Sequence, residues 1–237
     1  MIIPQKVVKY VAIKSANCWI YPAFGQDFPQ KKGMIQTPCV VIDPGSDAQL
    51  IIRRLEELNA YPRMVLLTHG HFDHVGALPE LVAYYAEQEG GIEIAIHQDD
   101  AAYLGPDSFE THRRCWVQAA GNAGFIDRFW QSMPNPTRFV DENDHIGSLR
   151  VLHLPGHSPG SVAFYDETAH LIFTGDCLFR HSFGRVDLPG GNKMRLWESL
   201  QRLWALDGAV VVYPGHGETS NIGAEQLYGK DAYFFLQ

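Results

Sequence analysis

Three histidines and a carboxylate fall within six positions of one another in Leu67-Thr-His-Gly-His-Phe-Asp-His74, where the apolar run Met64-Val-Leu-Leu67 ends. In an extended segment residues i and i+2 point to the same side, so His69 and His71 can leave a strand end as a two-pronged claw. Asp73 and His74 follow where the chain turns into the apolar-periodic Val75-Gly-Ala-Leu-Pro-Glu-Leu-Val82, and can face a second ion close to the first. Neutral imidazole and carboxylate suit zinc, iron or manganese, and two such ions about 3.5–4 Å apart form a clamp used in hydrolytic chemistry. The competing reading is a polar loop with solvated histidines; the density of donors and the strand before them weigh against it.

The surrounding elements decide what else can reach this stretch. Cys39-Val-Val-Ile-Asp43 reads as a buried strand ending in Pro44-Gly45, with Ser46 the N-cap of a helix running to about Leu58. Asp43 stands at that strand end, where it either supports metal ligands from behind or stabilises the turn before Pro-Gly. A helix from about Val75 to Gln88 leads to the strand Ile92-Glu-Ile-Ala-Ile96 and then His97. Residues 98–135 read as a mostly helical insertion. Its aromatics Phe109, Trp116, Phe125, Phe129 and Trp130 either pack the helices onto the domain or form a lid along a substrate cleft. His112, beside Arg113 and Arg114, reads as a solvated helix residue. Upstream, residues 5–13 alternate as a strand with Cys18-Trp-Ile-Tyr21 as partner, and the Gly, Pro and Lys-bearing stretch 22–38 reads as a mobile flap or a plain surface loop.

The second half repeats the rhythm of strand and histidine. Leu149-Arg-Val-Leu-His-Leu154 alternates as a strand and is followed by Pro155-Gly-His-Ser-Pro-Gly160, which puts His157 at a strand end. Ser161–Tyr165 and Leu171–Thr174 form a strand pair, the latter delivering Gly175-Asp176; after a helix from Lys193 to Leu206, Ala209–Tyr213 ends in Pro214-Gly-His216. Every candidate ligand therefore stands at or just beyond the C-terminal end of a strand. His97, His145, His153, His170 and His181 match no ligand spacing and read as structural or surface residues.

Gly156-x-Ser158-x-Gly160 also fits a nucleophile elbow, with Ser158, Asp176 and His216 in a hydrolase order. Two physical objections defeat it. The residue after the serine must donate its backbone N–H to an oxyanion, and Pro159 has none. A helix should then follow, whereas Ser161 onward reads as strand. Ser158 reads instead as a loop residue that helps hold His157.

With 237 residues, 46% of them hydrophobic, the chain can bury a substantial core as one domain spanning 1–237. It has no continuous apolar run of about 18 residues, and Lys6 and Lys9 interrupt the N-terminus where a signal peptide needs an apolar stretch, so a cytoplasmic protein without membrane contact is expected. Cys18, Cys39, Cys115 and Cys177 lack C-x-x-C spacing and are expected as reduced thiols. A net charge of −8 disfavours nucleic acid as the main partner.

The motif His69-x-His71-x-Asp73-His74 resembles the signature of the metallo-β-lactamase superfamily, and Thr68–Gly76 resembles its glyoxalase II branch. Gly175–Asp187, Gly215–Thr219 and Ile222–Glu225 are similar to that branch and its shorter bacterial relatives, and Asp141–Ile146 resembles the turn before the second half. The resemblance implies an α/β fold, an αββα four-layer sandwich of two mixed sheets packed face to face with helices outside. It implies one divalent metal ion on His69, His71 and His157, a second on Asp73, His74 and His216, and Asp176 shared. Zinc is the first expectation, with iron or manganese as alternatives. A metal-bridging hydroxide, oriented by Asp73, would be the nucleophile, and the remaining formal charge of about +1 would favour an oxyanion on the substrate carbonyl.

By the same resemblance Arg180 and Arg185 contact the substrate, a small-molecule thioester of the hydroxyacylglutathione type. Asp187 and Glu218 replace aromatic residues of that branch, which weighs against glutathione itself, and Cys177, standing where the branch often has Thr, reads as a packing residue. The alternatives on the same scaffold are a mononuclear iron persulfide dioxygenase and a lactonase or β-lactamase-like hydrolase.

Overall fold

The computed structural model describes residues 4–7, 16–22, 28, 36–86 and 91–236. Two six-stranded sheets make its centre. The first runs β1 (Gln5–Val7), β2 (Cys18–Pro22), β3 (Thr37–Ile42), β4 (Ala60–Leu66), β5 (Glu93–His97) and β6 (Arg138–Val140) in sequence order. β1, β2 and β3 are antiparallel neighbours, and β3 to β6 are parallel. The second contains β7 (His145–Ile146), β8 (Leu149–His153), β9 (Val162–Asp166) and β10 (Leu171–Gly175). After a small hairpin of β11 (Leu178–Phe179) and β12 (Ser182–Phe183) it is completed by β13 (Val211–Pro214) and β14 (Ser220–Asn221), in the order β14-β13-β10-β9-β8-β7. Only β10 and β13 pair in parallel there, so both sheets are mixed.

Strand alternation explains why the two sheets stack. In β3, Val40 and Ile42 join Met64, Leu66, Phe164 and Phe173 in a core between the sheets. Their neighbours Cys39 and Val41 point the other way, toward Ile51 and Leu55 of α1 (Ala48–Glu57) and Leu78 and Leu81 of α3 (Leu78–Tyr85). β9 divides in the same manner: Val162 and Phe164 face inward, while Ala163 and Tyr165 pack with Leu196 and Leu200 of α6 (Lys193–Trp204) and with Ile222, the first residue of α7 (Ile222–Leu236). Strands apolar on both faces can be buried on both, and the period of two assigns alternate residues to the inner and outer cores. The result is the expected order of helix, sheet, sheet, helix. Phe164 and Phe173 are fully buried at its middle, where truncation to Ala would cost about 3–5 kcal/mol each.

Four local expectations meet a different structure or fall outside it. The N-cap of α1 is Asp47 and not Ser46, because Asp47 takes a left-handed conformation (φ 53°) that lets its carboxylate accept the Leu50 N–H at 3.0 Å. The helix expected from Val75 is two, α2 (Phe72–Val75) and then α3, because Pro79 sits in the first turn of α3 and restarts the helix there. The strand over 5–13 is observed for 5–7; 8–13 lie outside the described residues, as do 23–27 and 29–35 of the proposed flap. Residues 98–135 are mostly helical as expected, with a 3-10 turn at Gln98–Tyr103, α4 (Phe109–Ala120) and α5 (Gly124–Phe129). Among the described residues, no helix is long and apolar enough to cross a membrane, and all four cysteines are free and buried.

Candidate metal centre

The parallel strands β3, β4 and β5 end on one rim of the first sheet, and β8, β10 and β13 deliver their C-terminal ends to the same place from the second. β4 supplies His69, His71, Asp73 and His74, the last two within α2; His157 follows β8, Asp176 follows β10 and His216 follows β13. Glycines let these loops approach. Gly175 has φ +50°, and a Cβ there would lie 2.3 Å from Thr68 Oγ1; a Cβ on Gly215 would lie 2.2 Å from Asp176 Oδ1.

All seven candidate ligands converge. His71 Nδ1 faces His157 Nε2 at 2.9 Å. Asp176 stands between the two ligand sets: its Oδ1 is 3.2 Å from His74 Nε2, and its Oδ2 is 3.5 Å from His157 Nε2 and 3.4 Å from His216 Nε2. Asp73 Oδ2 is 3.3 Å from His216 Nε2. Donor atoms of His69, His71 and His157, of His69, His74 and Asp176, and of Asp73, His74 and His216 each lie within 4.8 Å of one another.

Residues behind the cluster fix which nitrogen faces inward. Asp43 accepts from the Thr68 hydroxyl at 2.6 Å and the Thr68 N–H at 2.8 Å, and its Oδ2 lies 2.9 Å from His74 Nδ1. With its proton given to Asp43, Thr68 Oγ1 is left to accept from His69 Nδ1 at 3.1 Å. His157 Nδ1 donates to the Arg185 carbonyl at 2.7 Å. In each case the contact puts a proton on Nδ1 and turns Nε2 toward the cluster. Asp43 thus takes the supporting role and not merely that of a turn residue. His69 Nε2 is buried with no hydrogen-bond partner among the described residues, and His74 Nε2 and Asp176 Oδ1, although 3.2 Å apart, make no well-aligned hydrogen bond to each other or to any other described group. Buried polar atoms are rarely left so, and orphaned donors of this kind, aimed at one another, fit divalent cations.

Charge divides the cluster. Burial, reinforced by the neighbouring imidazoles, holds His69 well below the ordinary histidine range and lowers His71 to about 3. Burial opposes protonation of His74 and His216 as well, but Asp176 and the other nearby carboxylates outweigh it, raising His74 and bringing His216 to about 9. Burial would raise Asp176 and Asp73; the His74 imidazole beside them prevails and holds both down. The anionic side of the cluster draws positive charge to itself, whether as protons or as metal ions.

A cleft of about 600 Å³ opens above these residues, walled by Phe72, Trp116, Ala119, Phe179, Arg185 and Leu188. Trp116 lines it while stacking on Phe125, and both rings meet Phe72 edge-on. The aromatics of α4 and α5 therefore pack the helices down and also wall the cleft. His112 is buried and not solvated: its Nε2 lies 2.8 Å from the Tyr103 carbonyl and its ring meets Phe72. Arg185 reaches the cleft wall but is held by Asp187 through two hydrogen bonds of 2.6 Å, and Arg180, beside His216, is paired with Glu218. Cys177 packs with Leu196 and Leu200, away from the donors.

Two further features had no motif to announce them. Asp100, fully buried, accepts from the Gly70 N–H, the Gly160 N–H and the Ser158 hydroxyl, so Ser158 bonds Asp100 and not His157. The available signal was Asp100's place just past β5, on the rim where all the candidate ligands gather. His97, Asp99 and His153 form another donor group, but the two rings stack at 4.0 Å with planes only 14° apart. Lone pairs in nearly parallel planes do not converge on one ion. His153 Nε2 is also engaged by the Pro159 carbonyl, so these histidines are structural, as expected.

The sequence profile of the metallo-beta-lactamase superfamily matches residues 35–216, and the chain belongs to that superfamily as a metal-dependent hydrolase. It is 34% identical over 192 residues to the hydroxyacylglutathione hydrolase GloC of Haemophilus influenzae, covering 78% of this chain and 83% of that one. Among solved structures it is similar to TTHA1623 in a di-iron-bound form, with a TM-score of 0.73 and 33% identity over 94% of this chain and 96% of the other. It is also similar to the BLEG-1 B3 metallo-beta-lactamase, with a TM-score of 0.74 and 27% identity over the same shares.

Proposed function

We propose that this chain is a thioester hydrolase of the hydroxyacylglutathione hydrolase type, built around two divalent metal ions. The observation that carries it is the placement of Asp176 between two donor sets at the floor of an apolar cleft. His69, His71 and His157 would hold one ion, Asp73, His74 and His216 the other, and Asp176 both. Five imidazoles and two carboxylates without a thiolate suit zinc, and the similarity to a protein solved with two irons makes iron the first competitor. Ions so placed supply Lewis acidity at a carbonyl oxygen and lower the pKa of a coordinated water to roughly 7.

The protein's own groups do the rest. Asp73, part-exposed to the cleft, is placed to accept a hydrogen bond from the attacking water and hold it toward the acyl carbon. Phe72, Trp116 and Leu188 exclude bulk water from the thioester. Attack adds water across the C–S bond: the acyl carbon gains oxygen, and sulfur leaves and takes up the proton. The similarity to GloC supports the thioester as the bond broken. Arg185 lines the cleft and Arg180 a neighbouring pocket beside His216, but Asp187 and Glu218 already balance their charges, which favours a thiol half less anionic than glutathione. The similarity to a B3 metallo-beta-lactamase supports lactam hydrolysis as the second reading.

Metal analysis with a thiol-release assay tests this. Near two ions per chain, and thiol released from S-lactoylglutathione or a less charged acyl thioester, are expected. One iron per chain without thiol release from any acyl thioester would overturn it, and turnover of a β-lactam alone would favour the second reading.

A further inference from the structure

Asp100 is a buried carboxylate that the chemistry above does not use. Its Oδ2 accepts from the Gly70 N–H at 2.9 Å and the Ser158 hydroxyl at 2.7 Å, and its Oδ1 from the Gly160 N–H at 2.8 Å. Burial pushes its pKa up, and these three donors oppose the rise. Gly70 lies between His69 and His71, while Ser158 directly follows His157 and Gly160 closes the same loop. One carboxylate therefore ties together the two loops that carry these three imidazoles. Both approaches are tight: a Cβ on Gly160 would lie 2.7 Å from the Asp100 backbone nitrogen, and one on Gly70 would lie 2.4 Å from the Tyr103 ring.

Asp43 lies behind His74 of the other ligand set and, through Thr68, behind His69 as well, so it does not separate the two sets as Asp100 does. Nothing among the described contacts joins Asp100 to Asp73, His74 or His216. We propose that Asp100 is a positioning residue: its carboxylate clamps the His69–His71 loop to the His157 loop and so sets the spacing of one ligand set but not of the other. The inference rests on the ligand assignment proposed above. Asparagine at this position keeps the size but turns one acceptor into a donor, which must then face an N–H or hydroxyl.

Zinc titration of the metal-stripped full chain, monitored against a competing chelator, tests it. In a His216→Ala background, which leaves the His69, His71 and His157 set intact, Asp100→Asn is expected to weaken zinc binding by about 10–100-fold. In a His157→Ala background the same change should move the remaining affinity by no more than about twofold, as for an independent site. Ser158→Ala removes one of the three hydrogen bonds, keeps the fold if Asp100→Asn does not, and should weaken the same set by a smaller factor.

Equal losses in both backgrounds, or a fall in metal-free melting temperature with no change in either affinity, would overturn the clamp and leave Asp100 a loop-packing residue. If neither His157→Ala nor His216→Ala alters zinc binding, the ligand assignment itself fails, and the inference falls with it.

Discussion

The two proposed ligand sets solve one problem by opposite means. Around His69 and His71, burial and the neighbouring imidazoles keep the rings neutral, with His71 as low as about 3, so bare lone pairs await an ion. Around His74 and His216, Asp43, Asp73 and Asp176 supply negative charge, and His216 rises to about 9. The first set is prepared by exclusion of water and the second by attraction of cations. Asp176 belongs to both, which makes the centre a single unit with unlike halves.

Removing the shared residue should do the most damage. Asp176→Ala is expected to take the bound metal from near two ions per chain toward none and to cut thioester hydrolysis by about a thousandfold or more. Two retained ions with normal turnover would break the comparison at its hinge.

Next in size is an acid effect that has to be separated from the ligands. His112 lies in the cleft wall, and burial lowers it from its ordinary 6.5 to about 4, so the folded state resists a proton that the unfolded chain accepts. Its contribution is fully present above pH 6.5 and is lost as pH falls toward 4, by up to roughly 3 kcal/mol. Urea unfolding of parent and His112→Gln across that window should differ in slope; parallel curves would mean His112 is protonated in the fold. Subtracting this response leaves the acid sensitivity of the two ligand sets to be compared directly.

The smallest expected effect extends the comparison from floor to wall. Asp187→Asn frees Arg185 and should lower the KM for an anionic acyl thioester by about two- to fivefold, the scale of an exposed ion pair, while a neutral thioester is unaffected. Equal shifts for both substrates would remove charge from the account of specificity.

The candidate ligands were legible because their chemistry is written in residue type. His69 to His74 declare themselves by density, and His157, Asp176 and His216 by recurring at strand ends and by resemblance to the superfamily. The strands were legible through alternation and buried apolar runs, and their layering through the resemblance to the superfamily. Asp100 was not, because two of its three partners are backbone N–H groups of Gly70 and Gly160, distant in sequence and silent as residue types. His112 was misread through its neighbours. Adjacent helix positions face different directions, so Arg113 and Arg114 say nothing of where His112 points. The α1 cap was missed by one position because a left-handed Asp47 leaves no periodic trace.

Each proposed ligand set draws two side chains of its own from the loop after β4 in the first sheet and one from the second: His69 and His71 with His157, Asp73 and His74 with His216. Metal held there is a rivet through the sandwich. Fragments cut in the turn between β6 and β7 would each carry an incomplete claw, so strong zinc capture would report that the two halves had found one another.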